Sequence, residues 1–152
     1  MVPGIESRLA ALDAHPGPAV ERFDAGSAMA GRLAFLPSAF NPPTVAHLHL
    51  LEAALHVDGV TRVAAMLTTR NVAKGVVGAS LADRVSMLLA LHREQPSIAV
   101  LAANAARIID QAEALSVRFD GLGVDVIVGF DTLERLFDPL YYTDMERELS
   151  GF

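Results

Sequence analysis

The sequence contains no cysteine and no tryptophan, few aromatic residues, and fewer basic than acidic side chains. Without cysteine there is no disulfide framework and no thiolate metal site, and the reducing cytoplasm is the expected setting. A formal net charge of -6 provides no basic field, so neither nucleic acid nor an anionic membrane is an expected partner. Long apolar runs are missing too. No stretch of ~18 residues is free of charge in the way a membrane helix requires. Met1-Val2-Pro3-Gly4 leads into Glu6 and Arg8 instead of the apolar core of a signal peptide. There is no internal repeat or low-complexity tract, and no metal-ligand spacing joins His15, His49, His56 and His92, which read as structural residues.

What is present is the composition of a compact soluble domain: 52% hydrophobic and 20% charged over 152 residues, enough chain for one ordinary core. Residues 5 to 14 suit a short helix through Ile5, Leu9 and Leu12, ended by His15-Pro16-Gly17-Pro18. Residues 1–30 are therefore expected to be a peripheral helical segment.

From residue 31 onward the pattern alternates. Leu33-Ala34-Phe35-Leu36 is a short apolar run that suits a strand buried on both faces. Asn41 is the predicted cap of a helix whose first turn accepts Pro42 and Pro43, with Leu48, Leu51 and Leu55 at helical spacing as far as about Val57. Val60 to Leu67 gives a second strand. Ser80-Leu81-Ala82-Asp83 has the form of a capping box for a helix ending near Gln95-Pro96. Ile98 to Leu101 is a third strand, residues 104 to 118 a helix, and Val124 to Val128 a fourth strand ending at Gly129. Alternation of this kind predicts an α/β fold, a doubly wound parallel sheet with helices on both faces. Ligands in such sheets sit beyond the carboxyl ends of the strands. Three polar segments meet that description: Pro37 to His47, Thr68 to Lys74, and Gly129-Phe130-Asp131.

Thr44 and His47, three residues apart at a helix start, share one face near its positive dipole end. Free N–H groups, a hydroxyl and an imidazole together suit phosphate oxygens and the charge that grows during phosphoryl or nucleotidyl transfer. Ser38 lies in no recognised nucleophile motif with a base, which argues against hydrolase chemistry.

Ser38-Ala39-Phe40-Asn41-Pro42-Pro43-Thr44-Val45-Ala46-His47 resembles the phosphate-binding signature of the nicotinamide-nucleotide adenylyltransferases, Gly-x-Phe-x-Pro followed by His or Thr, any residue, Gly and His. Ser38 and Ala46 stand where the family usually has glycine. Thr69 to Lys74, Arg84-Val85-Ser86-Met87-Leu88 and Gly129-Phe130-Asp131-Thr132-Leu133 are similar to the family's lysine loop, its Arg-x-x-Met-Leu helix and its Gly-x-Asp segment. With Phe137-Asp138-Pro139-Leu140-Tyr141-Tyr142, the likeness is greatest to a fungal-type subgroup with bacterial relatives, over roughly residues 32 to 142.

The resemblance implies a Rossmann-like nucleotidyltransferase domain over 31–152. It also implies attack by a nicotinamide or nicotinate mononucleotide phosphate on the α-phosphorus of ATP, with Mg2+ bound and pyrophosphate released. His47, Thr44 and Lys74 would be catalytic. Ser38, Ala39, Phe40, Asn41, Arg84, Gly129 and Asp131 would join Thr44 and His47 in binding nucleotide, with Asp131 also a possible metal contact. A related nucleotidyltransferase with another acceptor, or a non-catalytic nucleotide-binding protein, would share the fold. Phe130, Phe137, Tyr141 and Tyr142 are candidates for stacking on a base, with core packing as their ordinary use.

Residues 143 to 152 contain none of the Ile-Ser-x-Thr-x-x-Arg phosphate loop that follows the fourth strand in the family. The expectation is a sheet without the usual fifth strand, its fourth-strand edge covered by a homodimer or by a C-terminal helix.

Overall fold

The structure is a computed structural model that describes residues 2–70, 78–141, 144, 146, 147 and 150. Along the chain run α1 (Ile5–Ala14), β1 (Val20–Arg22), β2 (Arg32–Ser38), α2 (Val45–Leu55), β3 (Arg62–Thr68), α3 (Leu81–Glu94), β4 (Ile98–Ala103), α4 (Ile108–Arg118), β5 (Gly123–Val126) and α5 (Phe130–Leu136). A single turn of 3-10 helix follows at Pro139–Tyr141.

The strands form one sheet in the order β1-β4-β3-β2-β5. All pairings are parallel except that of β1 with β4. The predicted alternation and parallel sheet are present, and the fold is Rossmann-like α/β. Buried runs such as Leu33 to Leu36 and Val63 to Leu67 send alternate side chains to opposite faces, the two-residue period of a strand. Ala34, Leu36, Val63, Ala65, Leu67, Ile98, Val100 and Ala102 join Leu51 of α2 and Val85 and Leu88 of α3 in one core layer. Leu33, Phe35, Ala64, Met66, Ala99 and Leu101 join Ala114 and Leu115 of α4 in the other. Helices thus cover both faces.

Among the described residues the sheet has five strands, not the four read from the sequence, and the additional one is not a C-terminal neighbour of β5. It is β1, at the opposite edge, formed within the segment expected at the periphery. Val20, Glu21 and Arg22 pair antiparallel with Ala103, Ala102 and Leu101, while Leu9, Leu12 and Phe23 are buried in the core layer with α3. Three residues carry too little periodicity to mark a strand, so this pairing is decided by tertiary contact alone.

An acidic anchor completes this edge. The Asp24 carboxylate accepts from the backbone N–H of Val100 at 2.9 Å, from that of Gly26 at 2.9 Å, and from Arg22 at 2.7 Å. Burial alone would raise its pKa. The hydrogen bonds from Arg22, Val100 and Gly26 and the Arg22 charge outweigh burial and hold it at about 2. At the other edge β5 pairs with β2 through four residues. A groove lined by Leu50, Val57, Val60, Glu113, Val124 and Val126 runs beside it.

Candidate functional site

The order β3-β2-β5 places β2 at the point where the chain changes direction across the sheet. Because β2, β3 and β5 are parallel, the segments after Ser38, Thr68 and Val126 emerge at the same end. That is where ligands enter folds of this type.

After Ser38 the chain turns sharply. Phe40 takes a positive φ of 46° and Asn41-Pro42 is cis. A non-glycine residue at positive φ is strained, of order 1 kcal/mol or more, and burial of the ring offsets that cost. Phe40 is 1% exposed and lies 4.8 Å from the His47 ring, centroid to centroid. The turn thereby carries its two prolines outside the helix. Asn41 is consequently not the helix cap predicted from the sequence. Thr44 is, with extended backbone at φ -123°, and it alone has the reciprocal partner three residues on. Asn41 instead accepts from the Ala79 N–H at 3.1 Å, joining this loop to the start of α3. Gly78 permits that approach, since at its φ of +92° a Cβ would meet Asn41 Oδ1 at 2.3 Å.

His47 is fixed from both sides of its ring. The Thr44 backbone N–H donates to Nδ1 at 2.9 Å, with Thr44 Oγ1 also 2.9 Å from Nδ1. Nε2 lies 3.0 Å from Ser38 Oγ. A backbone N–H cannot turn away or accept, so Nδ1 is the unprotonated nitrogen and Nε2 carries the hydrogen, which it donates to Ser38. Burial pushes the His47 pKa below its ordinary value of 6.5, favouring this neutral form.

The Ser38–His47 contact has the spacing of a nucleophile and its base, which the sequence did not disclose. The tautomer is the wrong one for that role. A base must present a bare nitrogen to the serine hydroxyl, with a carboxylate accepting from the other side. Here the other side is a donor. The reading against hydrolase chemistry therefore stands on geometry instead of on a missing motif.

Arg84 is 5% exposed. Its guanidinium donates to the carbonyls of Ala79 at 2.9 Å and Ala39 at 3.3 Å. It braces the back of the Ser38–His47 loop, a use that a lone helix arginine does not reveal in sequence. After β3, Thr69 Oγ1 donates to Asp13 Oδ1 at 3.1 Å and Arg70 pairs with the same carboxylate at 3.6 Å. Asp13 of α1 thus anchors the start of the lysine loop, a role the sequence reading missed because the residues lie 56 apart. Lys74 lies outside the described residues, as does Tyr142.

Gly129 and Asp131 follow β5, whose continuation at Ile127 donates to Phe35 O at 2.8 Å. Asp131 is exposed in the first turn of α5 and makes no hydrogen bond to Ser38, Thr44 or His47. Phe130 and Phe137 are 73% and 64% exposed, which corrects the expectation that they pack in the core. Among the described residues no three His, Asp or Glu converge as a metal cluster, and no helix is long and apolar enough to cross a membrane. His15 and His92 bond to backbone carbonyls, Gly17 O at 2.9 Å and Ile98 O at 2.7 Å, as structural residues do.

The fold and this strand-end loop define a Rossmann-like α/β protein with polar groups gathered at the switch point of its sheet. The chain is 29% identical over 121 residues, 77% of its length, to a Schizosaccharomyces pombe (strain 972) protein named "Putative nicotinamide mononucleotide adenylyltransferase". It spans about half of that protein, 47%. No family model matches the chain.

Proposed function

We propose that the protein is a nucleotidyltransferase that joins ATP to nicotinamide or nicotinate mononucleotide and releases pyrophosphate. The observation that carries this reading is the Thr44–His47–Ser38 arrangement at the start of α2 and the end of β2. The similarity to a protein named for the same chemistry supports it.

In this reading the mononucleotide phosphate oxygen attacks the α-phosphorus of ATP. The bond to the bridging oxygen breaks, and pyrophosphate leaves with its charge. The enzyme contributes alignment and charge stabilisation, without a covalent intermediate. The first turn of α2 offers its dipole and its N–H groups to the phosphates. Thr44 and His47 fix the loop that meets the transferring group, and Lys74 neutralises phosphate charge. Arg84 holds Ala39 in place from behind, so its part in nucleotide binding is indirect. Asp131 would contact ribose or help hold the metal. Mg2+ would be carried chiefly by phosphate oxygens and waters with one protein carboxylate, the usual manner for this ion. Phe130, exposed where β5 gives way to α5, is the candidate for stacking on a ring. A second copy of the chain against the β5 edge is the assembly we propose.

A non-catalytic nucleotide-binding protein is the second reading, favoured by Ser38 and Ala46 in place of the family's glycines. Incubation with ATP, Mg2+ and either mononucleotide, followed by measurement of pyrophosphate and dinucleotide, separates the two. Dinucleotide formed in step with pyrophosphate supports the transferase; no product with either acceptor refutes it.

A further inference from the structure

His47 has no hydrogen left to offer a ligand directly. Nδ1 is occupied by the Thr44 N–H, and the Nε2 hydrogen is directed at Ser38 Oγ, 3.0 Å away. The Ser38 hydroxyl, by contrast, has accepted without donating. It takes the His47 hydrogen and lies 3.5 Å from the Phe40 N–H. A hydroxyl has two acceptor positions and one donor, and among the described residues no acceptor takes the Ser38 hydrogen.

The residue is also well placed to aim it. Ser38 ends β2 in register with Leu67, on a rigid strand where the chain enters the loop, and it is half-buried. We infer that Ser38 presents the donor that meets a phosphate oxygen at this site, and that His47 acts through it as the positioning residue. The inference rests on the phosphate-binding reading of the loop and deepens it. The chain Thr44 N–H to Nδ1, Nε2–H to Oγ, and Oγ–H to phosphate runs in one direction, each donor polarised by the one before it. An imidazole that accepts at one nitrogen is held as a donor at the other, so Ser38 cannot act as a nucleophile while it serves as the relay. Without the hydroxyl, the Nε2 hydrogen stops short of the phosphate.

The test uses inorganic tripolyphosphate with the full chain and its Ser38→Ala, Ser38→Gly and Ser38→Thr forms. Nitrogen NMR of His47 in the unmodified protein is expected to show the neutral ring with its hydrogen on Nε2. Calorimetry is expected to show ~10-fold weaker tripolyphosphate binding for the alanine and glycine forms, the scale of one hydrogen bond to a charged group. The threonine form, which keeps the hydroxyl, stays within about 3-fold of the unmodified protein. In a His47→Ala background, Ser38→Ala adds little, since coupled residues lose their effects together. A hydrogen on Nδ1, unchanged affinity in Ser38→Gly, or no tripolyphosphate binding by the unmodified protein overturns the inference.

These outcomes separate from the proposed activity. Ser38-dependent binding without dinucleotide synthesis leaves the inference standing and removes the transferase. Full synthesis by Ser38→Gly does the reverse.

Discussion

Thr44 and His47 hold each other at the start of α2. The Thr44 N–H donates to His47 Nδ1 at 2.9 Å, and the His47 N–H donates to Thr44 Oγ1 at 3.4 Å. This capping box uses histidine where glutamate or glutamine is usual, so helix initiation and the orientation of an imidazole are one event. The Nδ1 contact sets the tautomer, and the tautomer decides which chemistry the neighbouring serine can join.

The titration of His47 follows from its environment. Burial disfavours the charged ring, so the folded-state pKa is below 6.5. Protonation also turns Nδ1 into a donor facing the Thr44 N–H. Between the folded and unfolded values the unfolded chain binds more protons, so this group's contribution to stability is complete above pH 6.5 and declines as pH falls through the folded value. Proton NMR of the His47 ring is expected to give an inflection below 6.5; one at or above it contradicts the geometry.

Asp24 titrates in a lower window. Its carboxyl is held at about 2 against an ordinary 3.8, equivalent to about 2 kcal/mol of stabilisation above pH 4. Because the folded value is depressed, that contribution is lost as pH falls from about 4 towards 2. Asp24→Asn is expected to lower stability at pH 7 and to flatten its decline over this acid range. Denaturant unfolding at several pH values measures both, and an unchanged acid slope would refute the anchor.

Arg84 is expected to act on the loop by bracing it. Arg84→Ala removes donors from two carbonyls and leaves a cavity beside Ala39, costing about 2 kcal/mol. Arg84→Lys does not restore it, because one ammonium cannot span both carbonyls as the guanidinium does. Thermal unfolding reads the stability, and hydrogen exchange at Phe40 and Thr44 reads the loop. A lysine form indistinguishable from the original would show that the span is unimportant.

The β5 edge bears on assembly. Light scattering in line with size exclusion is expected to give twice the 16.1 kDa chain mass. Proline in place of Val124, which removes a strand N–H, is expected to shift that mass towards the single chain. A monomer at all concentrations rejects a second copy there.

The sheet was largely legible in the sequence because β3 and β4 are runs of six or seven residues buried almost throughout and β2 holds a continuous buried run from Leu33 to Leu36. Such strands read as near-continuous apolar stretches between turn residues. β1 was not, since Val20-Glu21-Arg22 has no pattern of its own and takes its form from β4. The i, i+3 relation of Thr44 and His47 was visible as spacing. The Ser38–His47 bond was hidden, because it depends on a positive φ at buried Phe40 that no residue preference announces. Arg84 was hidden for a similar reason: its two acceptors are backbone carbonyls, and carbonyls leave no mark in a sequence.

Binding of nucleotide phosphates by the loop from Ser38 to His47 is measured by ATP calorimetry on the original protein and on His47→Ala. The expected result is saturable binding with Mg2+ present, weakened at least ~10-fold by the substitution. Equal affinity in the two proteins, or no ATP binding in the original, would contradict it.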